Sequence, residues 1–214
     1  MKEHPILFSG GMVRAILEGR KTQTRRIIKP QPGINKYPDP TKDFYAMELR
    51  KFLPPLVIII WKGTEIHVNE FYQRCPYGNV GDQLWVRETW EEVLGEEDLM
   101  FVYKASDTEL TTGDEDGNEN IFKWKPSIFM PRKASRIQLE IVNIRVQRLN
   151  NISYEDVYAE GVTCSWAKRL GLNEFIWWER MPDDAYKELW EKINGKGSWG
   201  KNPWVWVIEF KRIN

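Results

Sequence analysis

The chain has 214 residues, enough to bury one real core, and its 31 basic side chains balance 31 acidic ones, so bulk charge alone does not tie it to nucleic acid. Two cysteines (Cys75, Cys164) outside any CxxC spacing and two histidines (His4, His67) leave no usual zinc ligand set, and neither a metal nor another cofactor is expected. The longest apolar run, near Leu56–Trp61, is too short to span a bilayer, and MKEHPILFSGG lacks a signal peptide's apolar centre, so the expectation is a cytosolic protein with reduced thiols and no membrane role.

Charge is uneven along the chain. Residues 1–30 carry seven Lys/Arg against two acids and 121–150 carry seven against one, whereas 91–120 carry eleven acids against one lysine. A fold that joins the first two segments makes a basic face.

Pro5–Ser9 predicts a short strand, and Ser9 is placed to cap a helix whose apolar residues Met12, Val13, Ile16 and Leu17 recur at helical spacing, with Gly19 as its stop. The β-branched stretch Thr22–Ile28 predicts a strand. At that junction GRKTQTRRIIK packs five basic side chains and two threonines into eleven positions. KPQPGINKYPDP is too rich in proline for either element. LPPLVIIIWKGTEIHV predicts one or two strands within an insertion spanning about residues 41–75. Gly81-Asp82 reads as a turn feeding a strand at Gln83–Arg87, with Leu84 and Val86 on one face, and Phe101–Lys104 as another strand. TTGDEDGNEN, residues 111–120, predicts an acidic hairpin tip or loop on a solvated surface.

SRIQLEIVNIRVQRL carries the clearest strand pattern. Its apolar positions run Ile137, Leu139, Ile141 and then slip to Val142, Ile144, Val146, which predicts a β-bulge near Ile141–Asn143. ISYEDVYAEG predicts a short helix, with Ser153 as N-cap, Asp156 at the capping-box position, Ile152 and Val157 as staple, and Gly161 as stop. Residues 162–182 read as a second, irregular insertion, Asp183–Ile193 as a helix, and Pro203–Ile213 as a strand with Trp204, Trp206, Ile208 and Phe210 on one face. The sum is one α+β domain over residues 1–214, a small β-barrel with short flanking helices and loop insertions.

Lys21 and Thr24 lie at a helix-to-strand junction, where side chains can point into a cleft. Positions three apart on a straight strand face opposite ways, so both reach one pocket only if the backbone turns between them. Glu160, in the last turn of its helix, meets the negative end of the macrodipole and calls for a nearby cation. Each also has an ordinary reading: surface lysine, strand threonine, solvated acid. Arg25 and Arg26 are expected on opposite sides of their strand, one of them toward a phosphate. Alternation puts Trp85 and Arg87 on one face and Val86 and Glu88 on the other. With Trp90 close by, that is either a platform for an unstacked base or, in a chain with eleven tryptophans, core filling.

Three segments, GRKTQTRR after a helix, GDQLWVRETW in the middle and ISYEDVYAEG after a long strand, resemble the signatures of the ASCH superfamily. ILFSGGMVRAILEGRKTQTRRIIKPQP, FMPRKASRIQLEI and NPWVWVIEF resemble a bacterial and prophage-type subgroup of it, and the likeness covers nearly the whole chain apart from the two insertions. The resemblance implies a PUA-like β-barrel and a link to RNA. Small bacterial members similar to this chain are amidohydrolases acting on N4-acetylcytidine, and their lysine, threonine and glutamate correspond to Lys21, Thr24 and Glu160. In those roles Thr24 would attack the acyl carbonyl, Lys21 would take its proton, Glu160 would protonate the leaving amine, and a backbone N–H near Gly19–Lys21 would face the oxyanion. Arg25, Arg26, Trp85, Arg87, Glu88 and Trp90 would contact the substrate. Three function classes follow: an amidohydrolase for a modified nucleoside or RNA, a module that binds RNA or DNA without chemistry, and a ribonuclease. In the second class Lys21 and Glu160 form an ion pair that merely holds helix to sheet. Nothing in the sequence fixes an oligomeric state.

Overall fold

The computed structural model describes residues 1–31, 44–48, 57–61, 74–94, 98–106, 112–113, 119–120, 123–162 and 182–213. The elements in chain order are β1 (Glu3–Leu7), α1 (Gly10–Leu17), β2 (Gln23–Ile27), β3 (Phe44–Glu48), β4 (Val57–Trp61), β5 (Gln83–Arg87), β6 (Trp90–Leu94), β7 (Leu99–Tyr103), β8 (Thr112–Gly113), β9 (Glu119–Asn120), β10 (Gln138–Arg148), α2 (Tyr154–Ala159), α3 (Pro182–Asn194) and β11 (Trp204–Arg212). The protein is therefore α+β. Among the described residues, no helix is long and apolar enough to cross a membrane.

The framework is a mixed five-stranded sheet in the order β1-β5-β10-β11-β2, and three two-stranded ribbons pair β3 with β4, β6 with β7 and β8 with β9. Within the five-stranded sheet, only the β1–β5 pair is parallel. No ladder among the described residues closes the sheet into a barrel. Its two edge strands are nevertheless tied by a side chain, because Arg26 on β2 donates Nη2 to the Leu7 carbonyl of β1 at 2.7 Å.

β11 positions everything else. Its even residues Trp204, Trp206, Ile208 and Phe210 enter the main core with Ile6, Phe8, Leu84 and Leu139, as the alternation predicts. Its odd residues Val205 and Val207 are also fully buried, in a second core with Val157 of α2 and Tyr186 and Trp190 of α3. A strand covered on both faces reads as a continuous apolar run. β10 carries the expected bulge: its register against β11 shifts between Ile141 and Asn143, which keeps Ile141 and Ile144 in the same core while Val142 is 42% exposed.

The helices follow their local signals closely. Ser153 Oγ accepts from Asp156 N–H at 3.2 Å at the start of α2, and Gly161 follows its C-cap at φ +77°. α1 differs from expectation in one detail: Ser9 takes the extended N-cap backbone, but its side chain makes no capping bond. β6 was not apparent in the sequence, because WEEVL carries two acids in five residues. The β8–β9 pairing makes residues 111–120 a hairpin whose tip lies outside the described residues. The strands expected in the first insertion are represented by the β3–β4 pair, while most of both insertions, His67 and Cys164 fall outside them.

Candidate functional site

The site begins with a glycine. Gly161 lets the C-terminal end of α2 lie directly against the link between α1 and β2: a Cβ there would stand 2.7 Å from Ala15 Cβ and 2.8 Å from Lys21 Cβ. Thr22 N–H donates to the Ala159 carbonyl at 2.8 Å across this seam, and Lys21 forms an isolated antiparallel bridge with Glu160. The backbone thus brings residues 21 and 160, far apart in the chain, into register.

Lys21 Nζ donates to Glu160 Oε2 at 2.9 Å and to the Glu160 carbonyl at 2.8 Å. Arg25 Nη1 donates to Glu160 Oε1 at 3.1 Å, so a cation meets each carboxylate oxygen. The Lys21 and Arg25 side chains are 0% exposed and that of Glu160 is 3%. Arg25 also pairs with Asp156, Asp156 with Arg145, and Arg145 with Glu209. Charges alternate along this chain of contacts from β11 to Lys21, so no buried cation in it lacks an adjacent carboxylate. Tyr186 lies against the Arg25 guanidinium, 6.0 Å from its ring centroid.

Burial is the largest influence on Lys21 and holds its pKa below the ordinary 10.5, although the Glu160 carboxylate opposes the shift; the Arg26 and Arg25 charges add to it. Asp156 goes the other way for a carboxylate in a partly closed site. Burial alone would raise it, yet the Arg25 and Arg145 cations outweigh burial and hold it below the ordinary 3.8. Burial, followed by the Glu160 charge, pushes the Tyr186 hydroxyl well above 10.0.

Thr24 is buried and faces Ile208 across the β2–β11 ladder. Thr24 and Arg26 share one face of β2, the face of Ile208, Trp206 and Phe8. The Phe8 ring links that face to the lysine: Lys21 Nζ lies 5.6 Å and Arg26 Cζ 5.3 Å from its centroid. Gln23 and Arg25 occupy the opposite face, where Gln23 Nε2 donates to the Asp156 carbonyl at 2.9 Å. Lys21 is still bonded to α1 through its N–H to the Ala15 carbonyl, and the turn at Glu18–Gly19 precedes it, so the turn that the Lys21–Thr24 spacing demands is not found between the two residues.

The backbone N–H groups of Gly19, Arg20 and Lys21 donate to the carbonyls of Ile16, Ala15 and Ala15, which leaves none of them for an oxyanion and corrects the expectation placed on that segment. Trp85 and Arg87 do share a face, with the guanidinium 5.5 Å from the indole centroid. Glu88 is buried and gripped by Arg136 through paired bonds of 2.9 and 3.0 Å. Trp90 is buried in a satellite core with Met130 and Ala134, edge-on to Phe101, and Lys125 lies 4.9 Å from its ring. Neither of the last two joins the Lys21 cluster.

Asp156, Arg145 and Phe8 were not singled out from the sequence as members of this constellation. The signal for Asp156 was present: residues four apart on a helix share a face, so DVYAE aims Asp156 and Glu160 at the same cations.

The chain matches no known family model, no curated protein and no solved structure. A fully buried amine joined by a single hydrogen bond to a carboxylate can exchange a proton with it, while the Thr24 hydroxyl stands on the face of β2 opposite Arg25, with no hydrogen bond to Lys21.

Proposed function

We propose that this chain is an ASCH-type protein with a PUA-like barrel, that it takes a modified nucleoside, free or within RNA, beside the sheet, and that it hydrolyses an amide on the base, with N4-acetylcytidine as the representative substrate. The side-chain tie between β1 and β2 supports the barrel reading, since it draws the two sheet edges together across Phe8. The observation that carries the chemistry is the Lys21–Glu160 contact: an amine held below its ordinary pKa by burial, with a carboxyl group at 2.9 Å to exchange protons with.

In this mechanism neutral Lys21 takes the Thr24 hydroxyl proton as Oγ1 bonds to the acyl carbon, and the ammonium so formed faces the developing oxyanion. Collapse breaks the C–N bond, and Glu160 supplies the proton that the departing exocyclic amine requires. The Lys21 ammonium then returns its proton to the Glu160 carboxylate, and the neutral amine takes a proton from the water that attacks the acyl-threonine ester and passes it to the departing Thr24 Oγ1, releasing the carboxylic acid. Arg25, itself held by Asp156, keeps the Glu160 carboxyl group in place. Glu88 and Trp90 take no part.

The competing reading is a binding module without chemistry. It is favoured by the commitment of two Lys21 donor bonds to Glu160 and of Arg25 to the other carboxylate oxygen. Acetate release from N4-acetylcytidine decides between them. The amidohydrolase is expected to turn over, to lose activity in Lys21→Ala, and to show kcat/KM rising with pH through a midpoint below 10.5. No acetate at high enzyme concentration, together with salt-sensitive RNA retention, would leave the binding module.

A further inference from the structure

Asp156 lies one helical turn before Glu160 on α2, and both carboxylates accept from one guanidinium. Arg25 donates Nη1 to Glu160 Oε1 at 3.1 Å and Nη2 to Asp156 Oδ2 at 2.5 Å. The second oxygen of each carboxylate is taken as well, Glu160 Oε2 by Lys21 and Asp156 Oδ1 by Arg145 at 2.7 Å. Asp156 makes no bond to the Lys21 amine, yet it stands one guanidinium away from the carboxylate that does. Exposure grows outward along this path: the Lys21 and Arg25 side chains are sealed, whereas Asp156 is 16%, Arg145 25% and Glu209 34% exposed. A substitution at the outer end meets water, while its effect on the inner pair passes through an interior of low dielectric.

From Lys21 to Asp156 the path holds two cations and two carboxylates, so its charges cancel. Neutralising Asp156 leaves Lys21 and Arg25 facing Glu160 alone, and the excess positive charge disfavours the ammonium. Neutralising Arg145 does the opposite, because the Asp156 charge then falls on Arg25 alone and weakens the pull of Arg25 on Glu160. The other polar and charged groups around the pair leave these signs unchanged. Arg26, whose guanidinium shares the Phe8 ring with Lys21, adds a fixed positive charge. Glu18 and Arg20, in the link between α1 and β2, pair with each other. The Tyr186 ring against Arg25 stays neutral, since burial, followed by the Glu160 charge, keeps its hydroxyl well above 10.0.

We propose that Asp156 is a positioning residue for this site: through the guanidinium it shares with Glu160, and with Arg145 as counterweight, it sets how readily the Lys21–Glu160 pair gives up a proton. This rests on the reading of Lys21 as base and Glu160 as acid of an amidohydrolase.

The test titrates the Lys21 side chain by NMR in protein carrying isotope-labelled lysine, with its signal assigned by absence from Lys21→Met. The wild type, Asp156→Asn, Asp156→Glu, Arg145→Gln and Arg145→Lys are compared at constant ionic strength. Charge control predicts that the Lys21 midpoint falls in Asp156→Asn, enough to raise the neutral fraction about threefold at a fixed pH below the midpoint. It rises in Arg145→Gln, and it returns toward the wild-type value in Asp156→Glu and Arg145→Lys, which keep the charges. A merely structural role predicts another pattern: both neutral variants would loosen Arg25 and admit water, which moves Lys21 up toward the ordinary 10.5 in each. A midpoint that rises or stays in place in Asp156→Asn overturns the proposal. Should Asp156→Asn not fold, Glu209→Gln removes a negative charge at the exposed end and predicts a smaller fall, whose absence overturns the proposal equally.

The pH dependence of kcat/KM for N4-acetylcytidine is the second readout, with its rising limb displaced to lower pH in Asp156→Asn and to higher pH in Arg145→Gln. Because the NMR titration uses no substrate, it is separate from the hydrolase reading. Midpoints in the expected order without acetate release support control of the pair by Asp156 and remove the amidohydrolase. Acetate release with one common Lys21 midpoint keeps the amidohydrolase and overturns the control.

Discussion

At the scale of single residues, the question at Lys21 is what keeps a fully buried ammonium in place. Glu160 answers with both its carboxylate and its carbonyl, and Arg25 completes the other carboxylate oxygen. Removing one partner of such a buried set leaves an uncompensated charge, whereas removing both ends of one contact does not. Glu160→Gln is therefore expected to destabilise the protein by about 3–5 kcal/mol. Lys21→Met combined with Glu160→Gln should recover a clear part of that loss. Urea unfolding of the two singles and the double closes the cycle. Additivity of the single effects to within about 0.5 kcal/mol would mean that the two groups do not interact. Activity gives the complementary readout, because the double variant regains stability but has neither the base nor the acid of the proposed reaction.

At the scale of elements, two glycines in the left-handed region do different work. Gly19 ends α1 at φ +74° with nothing within 4 Å of the point where a Cβ would stand, whereas Gly161 at φ +77° has Ala15 and Lys21 in the way. Gly19→Ala should cost only the backbone strain of about 1–2 kcal/mol. Gly161→Ala adds the overpacking of a tight seam, for a total of about 2–5 kcal/mol, and should separate α2 from the Lys21 junction. Thermal melts of the two variants check the order; equal shifts would remove the seam from the account. The C-terminal stop at each glycine was legible in the sequence because a cap is a local signal, as were the Ser153 cap and the slip from Ile141 to Ile144 that marks the bulge. Burial of Val205 and Val207 was not, because the face they fill belongs to α3, and no spacing within WVWVIEF states what will pack against it. Lys21, Thr24 and Glu160 stood out as chemistry placed at element ends. The roles of Asp156 and Arg145 depended on pairings between distant segments and had no local signature beyond the four-residue spacing on α2.

At the scale of the whole molecule, β11 belongs to both cores, so a loss at either face is expected to appear in one cooperative transition. The chain of alternating charges ends at that strand, which makes Asp156 a probe of how the network supports the fold. Asp156 has a folded-state pKa below the ordinary 3.8, since Arg25 and Arg145 outweigh its burial. A carboxylate depressed in the folded state contributes stability that is fully present above its unfolded pKa and is lost as pH falls through its folded pKa. Asp156→Asn removes that contribution at every pH. The wild type should therefore be the more stable protein at neutral pH, and the gap between the two should close as pH drops below 3.8. Urea midpoints measured for both proteins at a series of pH values, by far-UV dichroism and by tryptophan fluorescence, give the comparison, and the two probes should agree because Trp204 and Trp206 lie on the strand that joins the cores. A gap that stays constant across the acid range would show that the Asp156 charge contributes nothing to the fold and that the cations Arg25 and Arg145 are held by their other partners, Glu160 and Glu209.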